Sequence, residues 1–318
     1  MDEFELIQTY FKALSKNSPQ ILLGIGDDAA CVSISPDEHI LISMDTLVSH
    51  VHFLPDWNPF DIAYRAVMVN VSDIAAMGGV PRWITLALTL PDINKKWLSA
   101  FSKGLSAALD AFDMALIGGD ITAGPLSITV GIHGIVPKNQ AITRSKACPG
   151  DTIWVSGQLG AAALALSLLN NEDVKKRDKE VIMERLFAPQ PRVELGILLR
   201  DSATAALDIS DGLASDLRHI CEASQVGATL NAIDIPIHPL VKKYAVDDAL
   251  ELALTGGDDY ELCFTIPFAK TKTFFEIIKE TDHTCRQVGV IEAEKGLRVK
   301  GIDNQVDLLS LRGYRHFK

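Results

Sequence analysis

Residues 58–79 read NPFDIAYRAVMVNVSDIAAMGG, and this stretch predicts a long buried helix around which the first half of the chain is organised. Asn58 followed by Pro59 is a favourable helix start, with asparagine as the N-cap and proline in the first helical position. Small and branched apolar residues recur along it at positions 63, 66, 67, 71 and 75, which is helical spacing. We expect the helix to run to about Met77 and to end at Gly78 and Gly79.

An acidic residue, Asp73, lies inside this apolar pattern, one turn after Asn70. A carboxylate on a buried helix face needs a cationic partner. Arg65 is too far along the helix to serve simply as that partner. A bound metal ion is therefore favoured over a salt bridge within the helix.

The elements on either side of this helix mix strands with helices. Residues 39–46 predict a buried strand that ends at an acidic residue, and residues 3–14 predict a short amphipathic helix. After the long helix we expect strands over 83–90, 115–117 and 126–136 and a helix over 95–112. Turns are expected at 118–120 and 124–125.

The texture of the sequence changes between Pro137 and Gly150, where the chain is polar and lacks periodicity, so we place a domain boundary there. The predicted domains are residues 1–137 and 138–318. The second domain is expected to contain strands over 152–156, 204–209 and 260–266, helices over 159–169 and 247–254, and a helix ending near residue 222. Strict strand–helix alternation is absent, so a two-domain α+β fold with mixed sheets is favoured over a doubly wound parallel sheet.

Composition restricts the partners of the protein. The formal charge is −11 and no run is rich in Lys or Arg, which argues against nucleic acid or an anionic membrane surface as the main partner. No apolar run approaches the roughly 20 residues that span a bilayer, and the N-terminal residues do not resemble a secretory signal. The five cysteines are widely spaced and form no Cys-x-x-Cys pair, which favours a reduced, cytoplasmic protein.

Six short segments each place Asp beside Gly, Ser or Thr, and at Asp45, Asp120 and Asp208 a strand is predicted to end. Carboxylates gathered at one place stay ionised together only if cations lie among them. Neighbouring glycines let backbone N–H groups approach an anion closely. Mg²⁺ with a polyphosphate satisfies both conditions, and the absence of paired Cys/His spacing disfavours zinc. The segments are Gly24-Ile25-Gly26-Asp27-Asp28, Met44-Asp45-Thr46, Asn70-Val71-Ser72-Asp73, Gly118-Gly119-Asp120, Asp208-Ile209-Ser210-Asp211-Gly212 and Gly256-Gly257-Asp258-Asp259.

Each segment also has an ordinary structural interpretation. Gly and Asp form surface turns, an acid at position 45 can simply end a strand, and Gly256-Gly257 can cap a helix C-terminus. The segment at 208–212 is the strongest, because Asp208 and Ser210 are expected to share one strand face while Asp211 caps the next helix. No Ser-His-Asp order or phosphate-binding Gly-Lys-Ser/Thr loop is present.

Taken in order, these segments resemble the thiamine-monophosphate kinase family of the aminoimidazole ribonucleotide synthetase-like superfamily. The similarity runs from about Glu3 to Phe317 and also includes Leu88-Thr89-Leu90-Pro91 and His52-Phe53-Leu54-Pro55. The resemblance implies an N-terminal α/β domain that binds ATP and Mg²⁺ and pairs with its twin in a homodimer. It also implies a C-terminal α+β domain that completes the active site. The implied reaction is ATP + thiamine phosphate → ADP + thiamine diphosphate.

The resemblance also implies roles for individual residues. Several Mg²⁺ ions would be held by Asp28, Asp45, Asp73, Asp120, Asp208 and Asp211, with Met44 contributing through its backbone. ATP contacts are implied for Gly119, Asp120, Arg144 and Ser210, and thiamine phosphate contacts for His52, Asp258 and Tyr314. Asp27 is adjacent to the metal-ligand set and is expected to support it. Asp258 stands where relatives often carry Glu. No general base is identified, so no residue is assigned a catalytic role.

Two other hypotheses remain open from the sequence. The first is a sister ATP-dependent enzyme of the superfamily, such as selenophosphate synthetase, aminoimidazole ribonucleotide synthetase or the hydrogenase-maturation carbamoyl dehydratase. The second is a non-catalytic protein that binds divalent cations. ATP turnover that depends on thiamine phosphate would separate all three.

Overall fold

The computed structural model describes residues 3–16, 18–26, 28–169, 171 and 173–301. These form two compact units. The first unit takes the chain up to Ala75 together with Gly79–Gln140, and the second takes Ala76–Gly78 and the chain from Ala141 onward. No helix among the described residues has the length and apolar character needed to cross a bilayer.

The first unit contains a four-stranded sheet, a separate two-stranded sheet and two long helices. Its strands are β1 (Ile21–Leu23), β2 (Cys31–Val32), β3 (Glu38–Val48), β4 (Val80–Leu90), β5 (Ala115–Ala123) and β6 (Ser127–Pro137), and its helices are α1 (Glu3–Leu6), α2 (Pro59–Ala76) and α3 (Lys95–Ala111). The sheet order is β3-β6-β4-β5, and β1 pairs only with β2. All contacts in the sheet are antiparallel except β4 with β5, which is parallel.

Helix α2 begins as the sequence predicts, because the Asn58 Oδ1 atom accepts a hydrogen bond from Phe60 N at 3.1 Å. Its periodic apolar residues, including Ala63, Val67 and Val71, are fully buried. On the opposite face of the sheet, Ile40, Ile42 and Met44 of β3 remain exposed at 37%, 66% and 65%. Successive strand residues alternate between faces, so these three side chains form one apolar row on the side away from Leu41 and Leu47.

The second unit is a six-stranded sheet covered on both faces. Its strands are β7 (Thr152–Ser156), β8 (Ala205–Asp208), β9 (Gly227–Asn231), β10 (Leu262–Ile266), β11 (Cys285–Glu292) and β12 (Gly296–Lys300), and its helices are α4 (Ala161–Ser167), α5 (Lys176–Phe187), α6 (Val193–Leu199), α7 (Leu213–Ser224), α8 (Pro239–Tyr244), α9 (Ala249–Thr255) and α10 (Thr271–Lys279). The order is β12-β9-β11-β7-β10-β8, with only β12 and β9 parallel.

Two apolar clusters lie in this second unit. One contains Leu213, Leu217 and Ile220 of α7, and the other is built around Trp154, Phe264 and Phe274, whose rings meet edge to face. Strand β8 lies at one edge of the sheet and ends at Asp208.

The mixed sheets of both units confirm the predicted α+β class. Several predicted boundaries were wrong. Strand β5 does not stop at Ile117 but continues to Ala123, so Gly118-Gly119-Asp120 lies inside a strand rather than in a turn. The strand continues because residues 118–123 keep pairing with β4 after a one-residue bulge. The N-terminal segment is helical over 3–14, as predicted, but changes from α to π and then to 3₁₀ geometry.

Candidate functional site

In the first unit, acidic and amide side chains meet where β3 lies against α2. The Asn70 side chain joins the two elements, because its Oδ1 accepts from Asp45 N at 3.1 Å while its Nδ2 donates to Ala66 O at 2.9 Å. Ser43 donates its hydroxyl to Asp73 Oδ2 at 2.6 Å. The sequence places Asn70 one helical turn before Asp73, and only the packing of α2 against β3 gives it this bridging role.

The ionised form of Asp45 is destabilised by its surroundings. Burial, and secondly the nearby charge of Asp73, raise the pKa of its carboxyl from 3.8 to about 6. Two half-buried carboxylates at this place therefore repel one another, which is the situation that a bound divalent cation relieves.

Asp45 of β3 and Gly119 of β5 lie in the same cross-strand row of the sheet. Asp45 is opposite Val130, Val130 is opposite Leu86, and Leu86 is opposite Gly119. Adjacent strands are about 4.8 Å apart, so Asp45 and Gly119 are separated by about 14 Å along this row.

Asp120 belongs to the next cross-strand row, with Ala87, Thr129 and Thr46, and like Thr46 and Ala87 it is exposed. It therefore faces the side of the sheet opposite to Asp45. The structure brings Asp45 to Asp73 but does not bring Asp120 to that pair.

Gly119 allows the backbone of β5 to approach β4 unusually closely. A Cβ atom at this position would lie 2.0 Å from Leu86 O, which no side chain can occupy. Glycine is therefore needed at position 119 for this close approach of β5 to β4, and the residue itself is exposed.

The remaining candidates of the first unit lie in connections or at the surface. Asp28 is exposed between β1 and β2, and the Met44 side chain lies on the exposed face of β3. The His52 ring is held after β3, because its Nδ1 accepts from Val48 N at 3.0 Å. Asp27 lies outside the described residues, as does Tyr314 at the other end of the chain.

The acidic group of the second unit surrounds the turn between β8 and α7. Asp208 is 5% exposed at the end of β8. Asp216, on the first turn of α7, accepts hydrogen bonds on one oxygen from Ser210 N and Asp211 N, both at 3.0 Å. Burial, with added repulsion from Asp211 and Asp208, raises the pKa of Asp216 to about 7.

Two details predicted for this turn were wrong. Asp211 does not cap α7, because the cap position is Gly212 and no side chain bonds there. Ser210 does not share a strand face with Asp208, because β8 ends at Asp208 and Ser210 lies in the turn. Gly212 has φ +103°, and this bend directs the amides of the turn toward Asp216 instead. Sequence reasoning missed Asp216, although an acid in the first turn of a helix is a recognisable signal.

The loop from Gly256 to Tyr260 is fastened to the same turn. Asp258 N donates to Ser210 O at 2.8 Å, and Tyr260 N donates to Ile209 O at 2.9 Å. Asp258 and Tyr260 both adopt positive φ, at +69° and +50°. Such conformations cost energy in non-glycine residues and concentrate at functional sites. The Tyr260 hydroxyl donates to Asp258 Oδ1 at 3.1 Å, which orients that carboxylate.

Helix α9 ends at Gly256, as predicted, but in an extended rather than a left-handed conformation. Gly257 is required by the neighbouring turn, since a Cβ there would lie 2.3 Å from Ser210 O.

Arg144 lies beside the edge strand of the second unit. Thr143 O accepts from Ala206 N of β8 at 3.3 Å, and Arg144 O accepts from the Ser224 hydroxyl at 2.8 Å. The side chain of Arg144 is exposed. Arg144 directly follows Thr143, which is hydrogen-bonded to β8, and its guanidinium is accessible to solvent.

Among the described residues, no group of three or more His, Cys, Asp or Glu side chains is arranged to hold a metal ion by itself. Mg²⁺ is commonly bound by one or two carboxylates together with water and substrate phosphates. The donors that are present are oxygen atoms, and Asp45 with Asp73 shows the like-charge repulsion that a cation would relieve. The residues therefore fit Mg²⁺ in combination with a phosphorylated ligand.

Comparison with known proteins gives matches along nearly the whole chain. The family model "AIR synthase related protein, N-terminal domain" matches residues 26–136, and "AIR synthase related protein, C-terminal domain" matches residues 148–302. The thiamine-monophosphate kinase of Escherichia coli is 43% identical over 322 residues, which cover 99% of this chain and 98% of that protein.

Solved structures give a consistent result. The crystal structure of thiamine-monophosphate kinase from Stenotrophomonas maltophilia has a TM-score of 0.87 and 42% identity, with 93% of this chain and 96% of that chain covered. A structure described as AaThiL complexed with AMPPCP and TMP has a TM-score of 0.79 and 30% identity, with 99% and 97% covered.

Proposed function

The chain belongs to the thiamine-monophosphate kinase family of AIR synthase related proteins, and from this premise we propose that it uses ATP to phosphorylate thiamine monophosphate. The observation that carries the proposal is 43% identity to such a kinase over 99% of this chain. The related structure that holds AMPPCP, an ATP analogue, together with TMP supports ATP and thiamine monophosphate as the two substrates. The product is thiamine diphosphate.

We propose direct in-line transfer for the chemical step. A phosphate oxygen of thiamine monophosphate attacks the γ-phosphorus of ATP, and ADP leaves. That oxygen is already anionic near neutral pH, so the reaction needs no strong general base. The protein's work is then to hold two polyanions in line and to neutralise their charge.

Mg²⁺ is the proposed metal. When bound, it would neutralise phosphate charge and orient the reacting oxygens. The chain's part is to present oxygen donors and to keep them in place through the bonds of Ser43 and Asn70. The proposed donors are the carboxylates of Asp28, Asp45, Asp73, Asp120, Asp208 and Asp211 and the backbone of Met44.

The proposed substrate contacts are divided between the two domains. The N-terminal domain, residues 1–137, binds ATP and Mg²⁺, and the C-terminal domain, residues 138–318, completes the site. An uncovered backbone at Gly119 and an accessible guanidinium at Arg144 support their assignment to ATP. ATP contacts are proposed for Gly119, Asp120, Arg144 and Ser210, and thiamine phosphate contacts for His52, Asp258 and Tyr314.

We further propose that the protein is a homodimer. Ile40, Ile42 and Met44 form an exposed apolar row on the sheet of the first unit, and such a row is favourably buried against a second copy. Sedimentation velocity on wild type and on Ile42→Lys, which puts a charge at the most exposed of these positions, tests this assignment. A dimer that the variant converts to a monomer supports it, and a monomeric wild type contradicts it.

A cytoplasmic location is also proposed. All five cysteines are free thiols, which fits a reducing compartment, and ATP is a cytoplasmic substrate.

The decisive experiment is identification of the product formed from ATP, MgCl₂ and thiamine monophosphate. Thiamine diphosphate and ADP in equal amounts are expected. ATP turnover independent of thiamine monophosphate would favour a sister enzyme of the superfamily. Cation binding without any turnover would favour a binding protein.

A further inference from the structure

The turn between β8 and α7 is held from both sides by its own neighbours. On one side Asp216 accepts from the amides of Ser210 and Asp211. On the other side Asp258 N donates to Ser210 O. The peptide groups around Ser210 are thereby fixed at both their donor and their acceptor atoms. These bonds also fix the directions of the Ser210 and Asp211 side chains.

The position of Asp216 is unusual for a residue that only stabilises a helix. It is 4% exposed and lies near two other carboxylates, Asp208 and Asp211, which repel it. Burying a carboxylate near like charges is unfavourable. What distinguishes Asp216 from an ordinary helix-capping residue is that one of its oxygens accepts from two successive amides of the preceding turn, those of Ser210 and Asp211.

We propose that Asp216 is a positioning residue, which holds the amides of Ser210 and Asp211 so that their side chains are oriented for the nucleotide and its cation. This inference rests on the proposed function of the same site. Asp216 itself contacts neither substrate. Asp216 restricts the conformations of the turn before the substrates bind, so that binding does not have to meet the entropic cost of ordering the turn.

Two substitutions separate the hydrogen bonds from the charge. Asp216→Asn removes the charge but keeps a side-chain carbonyl that can accept both amides. Asp216→Ala removes the acceptor. If the alanine variant does not fold, Asp216→Ser replaces it, because the serine hydroxyl is too short to accept both bonds and the same results are expected.

The chain offers a matched control in Asp151. This carboxylate is 5% exposed and, like that of Asp216, uses one oxygen to accept two bonds, from Cys148 N at 2.9 Å and from the Thr204 hydroxyl at 2.6 Å. None of these groups is assigned to the candidate site. Asp151→Ala therefore reports what the loss of a comparable buried acceptor does to the fold alone.

Three measurements test the proposal on the full chain. Hydrogen exchange without ligands reads the Ser210 and Asp211 amides directly. Calorimetry gives the Mg²⁺-dependent affinity for AMPPCP, and steady-state kinetics give kcat and KM. Loss of a residue that orients metal ligands commonly costs about 10–100-fold in metal affinity or activity. We expect losses of that size in AMPPCP affinity and kcat for Asp216→Ala, with faster exchange at both amides.

The control and the conservative variant complete the test. We expect Asp216→Asn to remain within about threefold of wild type, and Asp151→Ala to lower the melting temperature without changing kcat or AMPPCP affinity. The inference is overturned if folded Asp216→Ala binds AMPPCP and turns over like wild type. It is also overturned if Asp216→Asn is impaired as strongly as Asp216→Ala, because the charge would then matter rather than the acceptor. A wild-type protein without thiamine-phosphate-dependent turnover would instead refute the proposed function, while hydrogen exchange would still report on the turn.

Discussion

Replacing Asp45 by Asn is expected to make the protein more stable and less active at the same time. The carboxylate of Asp45 is half-buried beside Asp73, and the Asp45 contact with Asn70 uses its backbone N–H. The substitution therefore removes the buried charge and leaves the backbone hydrogen bond in place.

The magnitude follows from the pKa of Asp45, which burial and Asp73 raise from 3.8 to about 6. One pKa unit corresponds to about 1.4 kcal/mol, so at pH 8 the ionised carboxylate costs the folded state about 3 kcal/mol. Because the folded-state pKa is above the unfolded value, this cost develops as pH rises from about 4 to 6 and is constant above that. At pH 5 it is about half as large.

Urea denaturation followed by tryptophan fluorescence, with EDTA present, measures this effect. Three of the four tryptophans, Trp57, Trp83 and Trp97, lie in the first unit with Asp45, so fluorescence mainly reports on that unit. We expect the free energy of unfolding of Asp45→Asn to exceed that of wild type by up to about 3 kcal/mol at pH 8, and by about half of that at pH 5. Turnover should be largely lost, since Asp45 is a proposed Mg²⁺ ligand.

Asp120→Asn is the matched control, because Asp120 is exposed and its charge is already solvated. Its stability should stay within about 0.5 kcal/mol of wild type at both pH values, while its turnover should also fall. A loss of stability in Asp45→Asn at pH 8 would refute the electrostatic argument. A gain that is the same at pH 5 and pH 8 would refute it as well.

Three further predictions concern other parts of the molecule. Arg192 forms an ion pair with Glu261 through Nε at 2.7 Å and through Nη2, and the Glu261 side chain is 4% exposed. Arg192→Ala leaves that buried carboxylate unpaired and should lower the free energy of unfolding by about 3–5 kcal/mol. Adding Glu261→Ala in the same chain should recover part of that loss. Urea denaturation of the single and double variants measures this, and equal stability of Arg192→Ala and wild type would contradict it. Gly119→Ala should destabilise the first unit by at least about 1–3 kcal/mol because its Cβ would lie 2.0 Å from Leu86 O, whereas Gly118→Ala, with nothing nearer than 3.9 Å, should be tolerated. Thermal melts of the two variants that coincide would show that β5 moves away from β4 to relieve this contact. Removal of divalent cations with EDTA should abolish thiamine diphosphate formation and MgCl₂ should restore it, as followed by chromatography of the products, and unchanged turnover in EDTA would exclude the metal role.

Local chemistry was sufficient to predict much of this protein. The start of α2 depends on Asn58 and Pro59 alone, and the amide acceptor that caps the helix comes from within two residues. The strand before it and the strand at residues 152–156 follow from short apolar runs. The prediction that the first of these strands is buried was wrong, because only Leu41 and Leu47 on one of its faces are buried. The order of the acidic segments was enough to identify the family, because that resemblance depends on the order of motifs and not on their positions in space.

Contacts between distant residues were decided only by the tertiary structure. Strand β5 continues through Gly118 and Gly119 because β4 pairs with it, and no residue within that segment encodes the partner. The same holds for the cross-strand row that Asp45 shares with Gly119, and for the hydrogen bonds of residues 258–260 to residues 209–210. The pKa values of Asp45 and Asp216 likewise depend on burial and on neighbouring charges, which arise only after the chain has packed. The sequence therefore specified which side chains are available and where elements begin, and packing determined which of them meet and how strongly each is charged.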